Sequence, residues 1–387
     1  MNVTTLPLWA VGFRPFFALA CLSGALLPLL WIMMYSGSAA TPATFIVSAQ
    51  QWHAHEMFFG FGWAVLGGFL LTASKNWVSI RGYHGTVLIA LVAAWCLERV
   101  GMVAGQSWPP VLFWFSNLLF GAMLISLLVA TLVRHRKTDS YPDNLYFILL
   151  LPCFLPAKWL ILSPETFTEG WGMTLGLFRL SFLLMLERTL PAFMKGAFQV
   201  NLRRIPWCEH IVKTLALLLV FGPFLPVNVQ IVGSLVLAVM LLTRWLAWYP
   251  LKALSRLEIG IMYLGYLLIV AQLLIEALGH ISGFPWVGNV SVHVFALGVI
   301  GLVTPAMILR ISKGHTGRKV VFDHLDKTCL WMALAGFMLR VVAPQMAPDF
   351  YLLWLMLSAS CWLFCFGLLG WRYIPWLFQA RVDGKEH

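Results

Sequence analysis

Two histidines and a glutamate stand together in Trp52-His53-Ala54-His55-Glu56-Met57-Phe58-Phe59-Gly60-Phe61-Gly62, at the mouth of a long apolar run. Imidazole nitrogens can ligate a metal or a haem iron, and a carboxylate beside them can carry protons or join the ligand set. Ionisable groups at such a place are expensive, so they mark a functional site by default. At 100° per residue, His53 and His55 point to nearly opposite sides of a helix. His53 then shares a face with Glu56, Gly60, Ala64 and Gly67, and His55 with Phe59, Gly62 and Leu66. One iron is not expected to use both. One histidine is expected on haem iron and the other, with Glu56, at a second metal or in a proton relay. The bland alternative is a polar helix start with glycines present for close packing.

A partner for this cluster lies far along the chain. His293 opens a stripe with Leu297, Gly301, Thr304 and Ile308, whose small and polar members suit an interior helix face. It is the natural second axial ligand, trans to His53 or His55; the alternative is a histidine satisfied by a neighbouring carbonyl. Glu98-Arg99, Glu187-Arg188, Arg179 and Glu276 are further embedded charges. Glu56, Glu98 and Glu276 are the acids best placed to deliver protons, and Arg179 or Arg188 could neutralise a buried carboxylate or a haem propionate. Gly314-His315-Thr316-Gly317-Arg318 reads as a tight helix end facing anionic headgroups, or as a proton-entry or quinone-proximal loop. Arg14, in Gly12-Phe13-Arg14-Pro15-Phe16-Phe17, reads as a topology anchor.

The rest of the chain must hold these groups at fixed depth. Of 387 residues, 60% are hydrophobic and 11% charged, with a mean hydropathy of +0.84. Soluble domains carry roughly 25% charged residues, so the composition implies an all-α, polytopic membrane protein forming one membrane domain over residues 1–387. Apolar runs long enough to span fall near 14–35, 54–75, 85–104, 111–133, 144–162, 171–194, 209–225, 228–248, 258–280, 287–311, 326–343 and 349–372, about twelve transmembrane helices. The boundary at Gly222-Pro223 and Pro226 is the least defined. Lys and Arg gather in alternate loops, which explains the net charge of +11 without nucleic acid and puts both termini in the cytoplasm. That orientation sets His53, His55, Glu56 and His293 at the outer side. The seven cysteines form no CxxC or CxxCH, excluding covalent c-type haem, and the N-terminus reads as a retained span, not a cleaved signal.

Four stretches together resemble the NnrS family: GFRPFF at 12–17, WHAHEMFFGFGWAVLGGFLLTASKNW at 52–77, ERTLPAF at 187–193, and His293 followed by GHTGR at 314–318. The resemblance implies a bacterial inner-membrane protein of about twelve spans that binds haem b non-covalently, has been associated with copper, and serves the response to nitric oxide. Carried over residue by residue, the matching positions are His53, His55, Glu56, His293, His315 and Arg318. The site residues are then His53, His55, His293, Arg14, Arg188, His315 and Arg318 toward the cofactor, His53, His55, Glu56 and His293 toward metal, and Glu56 and His55 in catalysis. Where the family carries a histidine ahead of the Gly-Tyr of the ninth span, this chain has Tyr263 or Met262, which weakens a second metal site there. The expected function is binding of nitric oxide and its reduction to nitrous oxide, with quinol as electron donor and membrane lipid as surroundings. The rivals are a non-catalytic haem or copper sink or sensor, and a transporter of a metal or small anion.

Overall fold

The computed structural model describes residues 3–38 and 47–385. Apolar segments of this length must satisfy their backbone N–H and C=O groups internally, and helices result. They are α1 Phe13–Tyr35, α2 Ala49–Trp77, α3 Thr86–Ser107, α4 Pro110–Arg134 and α5 Pro142–Leu162. Next come α6 Phe167–Phe198, α7 Pro206–Phe224, α8 Val227–Ala247, α9 Leu257–Ser282, α10 Val290–His315, α11 His324–Met346 and α12 Pro348–Leu377. Eleven are long and apolar enough to cross a membrane. The other, α6, occupies the sixth expected span and carries Arg179, Glu187 and Arg188. The chain is a polytopic helical membrane protein, and no strand occurs among the described residues. The least defined boundary resolves at Leu225 and Pro226, where α7 has ended and α8 has yet to start.

The chain groups into two compact units. The first runs to Gly170 and adds Ile308–Val321 and the chain from Phe366 onward; the second comprises Trp171–Met307 and Phe322–Cys365. In the first unit α1 packs on α2 closely enough that a Cβ on Gly68 would strike Phe16. The start of α1 is capped from α2: Phe13 N–H donates to Thr72 Oγ1 at 2.9 Å. Phe13 and Thr72 are both buried, so a lost acceptor is not replaced by water. Thr72→Val, nearly isosteric, should therefore destabilise the protein by about 1–3 kcal/mol, read as a lower thermal unfolding midpoint in detergent. An unchanged midpoint would mean that the cap contributes nothing.

Three helices leave α geometry for a wider turn. The π-turns span Glu56–Gly62 in α2, Val294–Ile300 in α10 and Met338–Val342 in α11. The first follows directly on His55, the second directly on His293, and the third contains Arg340. Such turns are frequent at functional sites. They also break the uniform 100° step on which the helical-face argument rests.

Candidate functional site

In the first unit the polar groups of α2, α3 and α5 converge into one buried network. His55 and Glu98 are fully buried, and Glu56 and Lys158 are nearly so. His55 Nδ1 lies 3.1 Å from Glu56 Oε1 and its Nε2 lies 3.3 Å from Glu98 Oε1. Arg99 reaches Glu98 at 2.6 Å and Glu56 at 3.3 Å. Lys158 Nζ donates to Glu98 Oε1 at 2.6 Å and to the Asn117 carbonyl at 2.9 Å, and sits 4.8 Å from the centre of the Phe59 ring. Two carboxylates thus meet two fixed cations. The His55 imidazole lies between the two carboxylates.

The π-turn lies directly beside this arrangement. Glu56 turns its carboxylate to its sequence neighbour His55, and the π-turn begins at Glu56 itself. Trp95 Nε1–H donates to the Gly60 carbonyl at 3.1 Å, tying α3 to the turn. A Cβ on Gly60 would collide with the Arg99 guanidinium and crowd Glu56. Gly60→Ala is accordingly expected to push Arg99 off Glu56 and lower the unfolding midpoint. Gly196→Ala, with nothing within 4 Å among the described residues, should leave it unchanged; equal responses would show that the close approach is not needed. His53 belongs elsewhere. It is half-buried, with its ring stacked on Trp31 at 4.3 Å and 18°.

The second unit carries His293. Its Nδ1 faces the Asn289 carbonyl at 2.7 Å, so Nδ1 donates and Nε2 keeps its lone pair. Arg340 stands 3.3 Å from Nε2, with its guanidinium 5.6 Å from the centre of the Tyr351 ring. The carbonyl thus satisfies Nδ1, as the bland sequence reading expected, and Nε2 accepts from the Arg340 guanidinium. In the same unit Arg179 pairs with Glu276 at 3.2 Å and donates to Gln272 at 2.9 Å. Glu187 is buried and held by Lys213 at 2.6 Å, Arg244 at 2.9 Å and Arg204 at 3.1 Å. Arg188, next in sequence, is half-buried. Tyr263 is buried and its hydroxyl donates to the Trp248 carbonyl at 2.8 Å, a structural bond.

The Lys- and Arg-rich end of the first unit collects Arg14, His315 and Arg318. Arg14 is fully buried and donates to the carbonyls of Leu377 and Gln379, both at 2.7 Å. The His315 ring packs on Phe13 at 5.5 Å, and Arg318 lies over Trp376 at 4.2 Å. Burial lowers the Arg318 guanidinium from its ordinary range. The network in the first unit thus joins His55, Glu56, Glu98 and Arg99 from the sequence reading. His53 lies in the first unit outside that network, and His293 and Arg188 lie in the second. Sequence reasoning missed Lys158 and Arg340. Lys158 was findable: it is the one charge in the apolar run Leu145–Leu162, and a lone lysine there needs a carboxylate.

A buried ion network and histidines at π-turns, carried on membrane-spanning helices, define a polytopic membrane protein with a polar site inside it. The family model described as NnrS protein matches residues 7–381, nearly the whole chain, so this chain belongs to the NnrS family. No curated protein matches it. Membership supports a role in the nitric oxide response.

Proposed function

We propose that this chain is a haem-dependent protein of the bacterial inner membrane, with cytoplasmic termini, that binds nitric oxide and reduces it using electrons from quinol. The observation that carries this reading is the buried network of His55, Glu56, Glu98, Arg99 and Lys158. Converting two nitric oxide molecules to nitrous oxide and water consumes two protons and two electrons. An apolar interior offers no protons unless side chains hold them there. With a carboxylate on each side, the His55 imidazole can accept a proton at one nitrogen and release it at the other. Arg99 holds both carboxylates, and Lys158 holds Glu98, beside the ring. His55 and Glu56 act in this reading as the proton-handling pair.

The residues fit a haem at the level of single ligands. His293 has Nε2 as its acceptor nitrogen, which would have to give up its bond from Arg340 to reach an iron, and His53 offers a half-buried imidazole flanked by an aromatic ring. A bound haem would supply an iron that takes nitric oxide and passes electrons. A second metal such as copper fits less well at His55 and Glu56. Both ring nitrogens there face carboxylates, and Arg99 and Lys158 already neutralise those carboxylates, so a further cation would be repelled. Among the described residues no group of three or more His, Cys, Asp or Glu side chains is arranged to hold a metal ion.

The test is the absorption spectrum of the purified protein with and without nitric oxide. A Soret band that shifts on anaerobic addition of nitric oxide is expected. A colourless preparation, or a band indifferent to nitric oxide, would sink the reading and leave transport of a metal or small anion as the stronger account.

A further inference from the structure

The buried network of the first unit holds more hydrogen-bonding capacity than its own side chains use. Lys158 Nζ stands between Glu98 Oε1 at 2.6 Å and the Asn117 carbonyl at 2.9 Å, which sets Asn117 of α4 beside Glu98 of α3. Asn117 donates its side-chain N–H to the Phe113 carbonyl at 3.1 Å, and that bond identifies the other end of the amide as the acceptor oxygen, Oδ1. Glu98 and Asn117 are fully buried, yet Glu98 Oε2 and Asn117 Oδ1 accept no hydrogen bond among the described residues. Arg99 adds the complementary deficit. Its guanidinium lies within ion-pair distance of Glu98 and Glu56, but Nε, Nη1 and Nη2 are buried and none is aligned to donate a hydrogen bond among the described residues. His55 Nε2, 3.3 Å from Glu98 Oε1, is likewise unaligned.

Unmade bonds of both kinds in one place narrow what could complete them. A buried polar group left without a hydrogen bond costs on the order of 1–3 kcal/mol, more when charged, so native structures leave few of them. A metal cation would serve the two acceptor oxygens but would be repelled by Arg99 and Lys158. An anion would serve Arg99 but would meet the Glu56 and Glu98 carboxylates. Water both donates and accepts, and a buried water makes about three hydrogen bonds to groups otherwise unsatisfied. Arg99 keeps 14% of its side-chain surface exposed, so it forms the edge at which this cluster meets its surroundings.

We propose that the side chains of Glu98, Arg99 and Asn117 bind a small cluster of ordered water, and that this water resupplies protons to His55 through Glu98, with Asn117 as the residue that positions it. Each water takes up one proton as it gives one, so it is left unchanged and the charge of the network is kept. The water site stands on side-chain geometry alone; its proton role rests on the nitric oxide reading.

Hydroxyl-radical footprinting of the full chain in detergent tests the water site without turnover. A short X-ray pulse turns bound water into hydroxyl radical, which oxidises side chains beside it even where bulk solvent does not reach. Phe59, whose ring centre lies 4.8 Å from Lys158 Nζ, is the reporter. Phe147, equally buried and stacked on Trp77, is the reference. Phe59 should be oxidised several-fold faster than Phe147. Asn117→Leu should bring that rate down toward the reference, and Asn117→Asp, which keeps an acceptor oxygen, should preserve it. Equal rates for the two rings in the wild type, or an unchanged Phe59 rate in Asn117→Leu, would overturn the water site. If Asn117→Leu does not fold, the wild-type comparison decides. The proton role is read from nitrous oxide formation with a quinol donor, which should slow several-fold in Asn117→Leu with haem retained and recover in Asn117→Asp. An unchanged rate beside a lost footprint would overturn that role. A wild type that is oxidised at Phe59 but forms no nitrous oxide would support the water site and remove the nitric oxide reading instead.

Discussion

Glu98→Leu should destabilise the protein by about 3–5 kcal/mol, the cost of removing one partner from a buried ion pair. Glu98 is fully buried and one of its oxygens meets Lys158 at 2.6 Å, Arg99 at 2.6 Å and His55 at 3.3 Å. Without the carboxylate, Lys158 is a dry ammonium left with the Asn117 carbonyl and the Phe59 ring. Arg99 has an alternative in Glu56, so the loss falls mainly on Lys158. Lys158→Met should cost less, because Glu98 keeps Arg99. The double variant Glu98→Leu, Lys158→Met should recover part of the loss, since it removes both charges. Unfolding midpoints of the two single variants and the double variant measure the coupling. Additive effects would contradict the pairing. Glu98→Gln keeps shape and hydrogen bonding but removes the charge that balances Lys158, and under the proposed proton-handling role of His55 nitric oxide consumption should fall more than stability does.

His293→Ala should lose haem absorbance, while His55→Ala keeps it and loses turnover. The two imidazoles differ in what their nitrogens face. His293 has Nδ1 on the Asn289 carbonyl and Nε2 with its lone pair beside Arg340. His55 has a carboxylate on each side. A ligating histidine whose far nitrogen bonds a carbonyl is held in tautomer and orientation, and losing such support typically costs 10–100-fold in metal affinity. Removing the ligand itself should cost at least that much. Bound haem per protein, measured by the pyridine haemochrome spectrum, separates the cases. Full haem in His293→Ala would remove it from the ligand set, and restoration of the band by added imidazole would support the assignment. His53→Ala is the companion variant. Lost haem there would favour the stacked ring on Trp31 as a ligand, and retained haem would leave it as packing.

The helical scaffold was legible because long apolar runs broken by Pro, Gly and charged loops have few other solutions in lipid. Each of the twelve expected spans corresponds to one helix, and even the ambiguous break near Pro226 falls where proline predicts. The cost of burying charge singled out Glu56 and Glu98-Arg99, which the structure brings together in the buried network. The grouping of Glu56 with His53 was not legible. It rested on which face a backbone position occupies, whereas the Glu56 side chain turns to its sequence neighbour His55. Lys158 was hidden for a different reason: a span was counted there by hydropathy without asking what a single lysine inside it would pair with. The meeting of GFRPFF, Lys75, GHTGR and the tail depends on which helix ends adjoin, and pairings that distant have no local signature. Tyr263 illustrates the reverse case. Its place in a family pattern suggested a replaced ligand, whereas its hydroxyl is committed to a backbone carbonyl.

The most direct test of the central claim is nitrous oxide production. Purified protein in proteoliposomes would receive a quinol donor and nitric oxide under anaerobic conditions, with both gases followed by mass spectrometry. The account predicts that nitrous oxide accumulates at one molecule per two of nitric oxide consumed, and that Glu98→Gln and His55→Ala slow it while retaining haem. Nitric oxide that is bound in proportion to protein with no nitrous oxide formed would contradict it, and would make the protein a sink.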